Sequence, residues 1–279
     1  MRPATLLVVL LPALLAAGPG PARAEDADGL PDYMQESSDL LAPPGLSPDL
    51  AAGWWNPAAL PVAPRGGLSL GWRRREDLDR TWAGRAWRGH VDDFQGMLSL
   101  RWLHLGVQTR SASGRWADPP ASLQADPRLS EWTLGVGGGD RDGGLGISWT
   151  WTAGDDDTLV RHRRLNLGHI LRRRLLSTGL AAHWDLQNGD WLYHADLGLR
   201  PFGPRWTLFG EVLTDSDGFL DQPRAGAGVM AHVLPGLRLS ARWRDGGEVL
   251  VGLGLAFGDG GRLSAAGGEL DGGAQARSV

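Results

Sequence analysis

The chain has no cysteine among its 279 residues, so no disulfide braces it and no thiol is available to carry a lipid anchor. Small exported scaffolds usually depend on disulfides. A chain of this kind needs another device, and a closed barrel supplies one by hydrogen-bonding its strands all the way round. Lysine is absent too, and all 28 basic residues are arginine. That removes Schiff-base chemistry and a Ser-Lys dyad. The apolar run Leu6 to Ala17 is too short to span a bilayer as a helix, which takes roughly 20 residues. There is no HExxH spacing, no lysine after the glycines of Gly135 to Gly139, and no serine set in a strand-to-helix elbow. Metalloprotease, phosphate-loop and hydrolase chemistry therefore lack their motifs. A net charge of -4 with dispersed arginines gives no nucleic-acid signal. The reading is of a protein that is not an enzyme and carries no cofactor or metal.

What the chain does have begins with an export signal. Arg2 supplies a basic start, Leu6 to Ala17 an apolar core, and Ala22-Arg23-Ala24 the small residues before Glu25, which predicts a signal peptide over 1–24. Residues 25–66 read as a polar lead-in followed by a short helix. Ser47 is the expected N-cap, Pro48 lies in the first turn and Asp49 is favoured by the dipole, with the helix ending near Asn56-Pro57.

From Gly67 the apolar pattern changes to a period of two. Leu68, Leu70 and Trp72 alternate with Ser69, Gly71 and Arg73; Leu145, Ile147 and Trp149 alternate with Gly146, Ser148 and Thr150. The same rhythm recurs at Tyr193 to Arg200 and at Leu237 to Arg244. It predicts about twelve strands of roughly 9 to 11 residues, the length of a tilted membrane-crossing strand. Short links at Trp102, Gly139 to Gly143, Arg172 to Arg174, Pro201 to Pro204 and Pro235-Gly236 alternate with longer polar ones. Those longer links are Arg75 to Phe94, Ser111 to Ser130, Gly154 to Thr158 and Asp215 to Pro223. An even count places all the long links on one side, provided Trp82 to Arg88 belongs to the first of them. The expected fold is all-β: a transmembrane antiparallel up-and-down barrel over 67–258, with a periplasmic tail over 259–279.

A soluble sandwich would alternate as well, with its apolar residues pressed between two sheets. Tryptophan at the strand ends (Trp72, Trp102, Trp132, Trp149, Trp151, Trp184, Trp206 and Trp243), the small and charged opposite face, and the export signal favour the membrane barrel. The expected location is the outer membrane of a Gram-negative cell, with membrane lipid as one partner and a periplasmic protein as a second.

Ala51 to Leu60, AAGWWNPAAL, resembles the N-terminal segment of the long-chain fatty-acid transporter (FadL-like) superfamily of outer-membrane barrels. There a short helix and an Asn-Pro-Ala sequence, here Asn56, Pro57 and Ala58, precede the first strand. The barrel's length and its proline-glycine turns look still more like the barrels found ahead of signal-peptide-peptidase-type serine protease domains. The resemblance covers about residues 45 to 258 and implies a plug or gate at Trp54, Trp55, Asn56 and Pro57. The chain departs from both groups: twelve strands rather than fourteen, no protease domain, and an end at Arg277-Ser278-Val279 instead of a terminal aromatic.

The inward set is the candidate site. Arg73, Arg101, Arg110, Arg164, Arg200, Arg238, Arg242 and Arg244 line the expected lumen, with Glu211, Asp185 and Asp196 as partners. They form either a positively biased pore or an ion-pair lattice filling a narrow barrel, and the lattice is the better reading. His183 and Asp185, with His194 and Asp196 on the next strand, either approach a metal-like cluster or simply satisfy one another. Asp155-Asp156-Asp157 reads as a solvated external loop. Two functions follow: a channel or transporter for small or hydrophobic molecules gated by the N-terminal segment, or a closed barrel serving as anchor or assembly platform for a periplasmic partner.

Overall fold

The computed structural model describes residues 42–47, 49–63, 66–82, 85–100, 102–116, 128–153, 162–187, 189–216, 223–244, 247–257, 261–269 and 275–278. The expected export signal, most of the polar lead-in, Arg101 and the acidic run at 155–157 lie outside them.

The strands close into one ring, each antiparallel to its neighbours and ordered as in the chain, with the last pairing back onto the first. They are β1 Gly67–Trp82, β2 Arg85–Ser99, β3 Leu103–Trp116, β4 Arg128–Asp140, β5 Gly143–Ala153, β6 Arg163–Arg172, β7 Leu176–Asp185, β8 Trp191–Leu199, β9 Trp206–Asp215, β10 Arg224–Leu234, β11 Leu237–Arg244, β12 Val249–Phe257, β13 Gly261–Glu269 and β14 Gln275–Ser278. The ring shuts through four residue pairs, from Arg73 opposite Ser278 to Glu76 opposite Gln275.

Two expectations are corrected here. The barrel has fourteen strands, not about twelve, because residues expected to form a periplasmic tail supply β13 and β14. Their Gly-, Ala- and Ser-rich sequence shows little alternation, yet backbone pairing with β12 needs no large side chains. Arg75 to Phe94 is not a loop either: β1 runs to Trp82 and β2 starts at Arg85, 16 and 15 residues long. Connections at one end remain tight, between β2 and β3, β4 and β5, β6 and β7, and β10 and β11, the last using Gly236 at φ 82°. A left-handed residue of that kind suits the twist of a two-residue hairpin.

Polarity runs opposite to that of a soluble protein. The large side chains on the outer face are apolar: Leu68, Leu105, Leu134, Ile147, Leu167, Leu197, Leu208, Leu239 and Val251 are all exposed, as are Trp72, Trp102, Trp132, Trp149, Trp206 and Trp243. The buried face carries Arg73, Asp93, Gln108, Glu131, Thr150, Asn166, His183 and Arg242. Two stacked sheets would bury the first set and expose the second. The closed ring and this inversion rule out the sandwich.

Candidate functional site: the interior of the barrel

Two kinds of material fill the interior, at two levels. Nearer the tight turns lies the N-terminal segment. A 3₁₀ helix, Leu50–Trp54, is capped by Asp49, whose carboxylate accepts from Ala51 N at 2.9 Å. The cap is therefore Asp49 and not Ser47, whose hydroxyl accepts from Asp49 N at 3.2 Å. A short helix α1, Ala59–Val62, follows the Asn56-Pro57 corner. Trp54, Trp55, Asn56 and Pro57 are all buried. Trp54, Trp55, Leu60 and Val62 pack with Met97, Ile170 and Leu192 of the wall into the main apolar cluster.

The wall makes room for this segment with glycine. A Cβ on Gly106 would meet the Trp54 ring at 2.8 Å, and one on Gly146 would meet Ala58 N at 2.7 Å. Positions Gly168 and Gly198 are likewise occupied by Asn56 with Pro57, and by Leu46. The contacts are polar as well as steric. Asn56 donates from Nδ2 to the carbonyls of Leu180 (3.1 Å) and His169 (3.3 Å), while its Oδ1 accepts from Ala58 N at 3.0 Å. Arg172 donates to the carbonyls of Gly45 (2.9 Å) and Ser47 (2.7 Å), and Asp196 accepts from Gly45 N at 3.0 Å.

Nearer the long connections the wall's own side chains fill the space. Asp93 of β2 takes Arg110 of β3 at 2.7 Å and Arg73 of β1 through Nε at 2.8 Å, with Arg75 at 3.7 Å. Glu131 of β4 lies 3.1 Å from Arg164 and 2.7 Å from His162. Glu211 of β9 accepts from Arg242 Nε at 2.5 Å and faces His194 at 3.4 Å, and Arg244 reaches Glu248 at 3.4 Å. Buried charges persist only when paired and hydrogen-bonded. A neutral ladder continues the layer across four strands. Thr150 donates to Thr133 (3.0 Å), Asn166 donates to Thr150 (2.8 Å) and Ser148 (3.0 Å), and His183 Nδ1 meets Asn166 Oδ1 at 2.8 Å.

The inward residues picked out by alternation thus have separate fates. Arg73, Arg110, Arg164, Arg242 and Arg244 join ion pairs. Arg200 reaches the Arg173 carbonyl (3.2 Å) and the Ser177 hydroxyl (3.0 Å), and Arg238 lies over Gly254. The two His/Asp strands bring His183 and Asp196 within electrostatic reach of His194, but their hydrogen bonds diverge. His183 turns to Asn166, His194 to Glu211, Asp196 to Gly45, and Asp185 accepts from Gln187 N at 2.9 Å. Among the described residues no three His, Asp or Glu side chains are placed to hold a metal. Sequence reading missed Asp93, Glu131, Arg75 and His162. Asp93 sat within an expected loop, while Glu131 falls in phase with Thr133 on the inward face of β4, a signal that was there to find. Gly67-Leu68-Ser69-Leu70-Gly71 has hydrolase-elbow spacing, but Ser69 lies within β1 and donates to Asp49 Oδ1 at 3.1 Å.

No family model matches the chain and no curated protein matches it. Among solved structures it is similar to porin from Rhodopseudomonas blastica. One is a triple mutant at 11% identity, covering 76% of this chain and 98% of that one with a TM-score of 0.41. Another is a double mutant at 10% identity with the same coverage and score.

Proposed function

We propose that this chain is an outer-membrane barrel of a Gram-negative cell, exported on its N-terminal signal, whose lumen is gated by residues 42–63. The observation that carries the proposal is the fit of a separable segment into a glycine-lined wall. The segment rests on apolar packing and a handful of hydrogen bonds, so it can leave without breaking the ring. The inverted polarity supports a lipid surround, since only closed barrels and helices satisfy every backbone group there. Fourteen strands and the buried Asn56-Pro57-Ala58 corner support kinship with the FadL-like superfamily, because the count no longer departs from it. Small or hydrophobic molecules are the proposed cargo.

A second reading draws on the ion-paired layer. It belongs to the wall, so on this reading it would keep the lumen sealed with the segment gone. The barrel would then serve as an anchor or assembly platform for a periplasmic partner. Liposome swelling separates the two. Full-length protein should admit small sugars slowly, and a Gly146→Leu/Asn56→Ala double variant, with its segment dislodged, should admit them several-fold faster. Equal, negligible swelling by both, with the variant's segment shown to be protease-accessible, rejects the gate and leaves the sealed barrel.

A further inference from the structure

The interior arginines differ in what holds them. Toward the long connections each described arginine of the ion-paired layer has a carboxylate. At the tight-turn mouth Arg172, Arg200 and Arg238 form no ion pair among the described residues. Arg172 is spent on carbonyls of the N-terminal segment and Arg200 on a carbonyl and a hydroxyl. Arg238 has no hydrogen-bond partner among the described residues, and its Nε is buried.

Register brings a hydrogen-bonding imidazole and a further positive charge to the same place. His232 of β10 stands directly opposite Arg238 of β11, and Arg262 follows two strands on, at the start of β13. Arg262 is close enough to act electrostatically on both Arg172 and Arg238, and Arg200 on both Arg172 and His232. Among the described residues two carboxylates face this group. Asp49 attracts Arg238 while its Oδ1 accepts from Ala51 N and Ser69, and Asp196 attracts Arg172 while its Oδ2 accepts from Gly45 N. This part of the mouth lies beside β11 to β13, and the nearest atoms that a Cβ on Gly254 would meet are those of the Arg238 guanidinium, at 3.2 to 3.6 Å. A planar guanidinium with open donors beside small residues suits an oxyanion, which it can hold through two parallel bonds.

We infer that the tight-turn mouth beside β11 to β13 is a binding site for an oxyanion, a carboxylate or phosphate group, with Arg238 as its principal donor and Arg200 and Arg262 shaping the field. This goes beyond gating and rests on the barrel reading only in needing the mouth open to water.

The test is calorimetric titration of the full chain in neutral detergent with inorganic phosphate, hexanoate and hexanol. Both anions should bind and hexanol should not. Tighter binding of hexanoate than of phosphate assigns the site to amphiphiles, and the converse assigns it to free phosphate. Arg238→Gln should weaken anion binding roughly tenfold, the loss typical of one charged hydrogen-bonding contact. Arg163→Gln, exposed at the far end of β6, should leave it unchanged. Heat-modifiable mobility confirms folding of each variant, and Arg200→Gln serves, with a smaller expected loss, should Arg238→Gln not fold. Hexanol binding as well as hexanoate, wild-type affinity in the folded arginine variant, or no binding of either anion overturns the inference. A chain that binds the anions yet fails to insert into vesicles keeps this site and sinks the membrane reading, and the opposite result does the reverse.

Discussion

The two levels of the interior are built on different principles. Toward the long connections, space is filled by side chains that belong to the wall: Asp93, Glu131 and Glu211 each hold arginines from other strands. Toward the tight turns it is filled by a piece of chain that touches the wall through Asn56 and Trp54 against glycines, and through Trp54, Trp55 and Leu60 in the cluster with Met97, Ile170 and Leu192. The first layer cannot rearrange without separating carboxylates from arginines, whereas the second meets charged wall groups only through Arg172 and Asp196 among the hydrogen bonds described above. A barrel that both stands firm and admits change needs that division.

The comparison breaks most visibly at its charged layer. Asp93→Leu leaves Arg73, Arg75 and Arg110 without their shared carboxylate, and chemical denaturation in detergent should show a loss of about 3–5 kcal/mol. Next is Gly146→Leu. Its side chain collides with the backbone at Pro57 and Ala58. Overpacking of this sort costs about 1–3 kcal/mol, and here it should appear as protease cleavage within 42–63 while the barrel's strand signal in circular dichroism persists. Asn56→Ala removes two donated bonds and one accepted bond, and should weaken the seat by about 2 kcal/mol, read as faster hydrogen exchange at Ala58 and Ala59. The smallest effect sharpens the contrast between wall glycines. Gly254→Ala meets a flexible guanidinium first and should shift stability by no more than about 0.5 kcal/mol. A Gly254→Ala effect as large as that of Gly146→Leu would mean that the two sides of the wall are not packed differently.

The outward half of each central strand was legible because lipid-facing positions tolerate little but large apolar residues, and Leu145-Ile147-Trp149 advertises its phase. The far ends of β1 and β2 were not. There Arg73-Arg74-Arg75-Glu76-Asp77 and Asp92-Asp93 carry charge at successive positions, so no period of two survives. In β13, Leu263 is the single large apolar residue in GRLSAAGGE, and backbone pairing with β12 does the ordering that side chains elsewhere announce. The interior was read in kind but not in pairing. Alternation places Arg73 and Arg164 inward, but which carboxylate each meets depends on register. Of the partners named from sequence, Glu211 holds Arg242 and Asp185 stands opposite Arg164, whereas Asp93 and Glu131, which hold Arg73 and Arg164, were not named. The Asn-Pro-Ala corner was visible as a motif. Its seat, formed by glycines more than 80 residues away, exists only once the ring has closed.

The four pairs that tie Arg73–Glu76 to Gln275–Ser278 also govern the order of assembly. A helical membrane protein can enter its bilayer one span at a time, each with its amides matched internally. Here the amides along one edge of β1 find partners only when the last strand of the ring is delivered, so the polypeptide has to be kept from clumping until all of the ring has been made. Closure and shape are therefore a single event, and a break anywhere in the circle is felt by every stave.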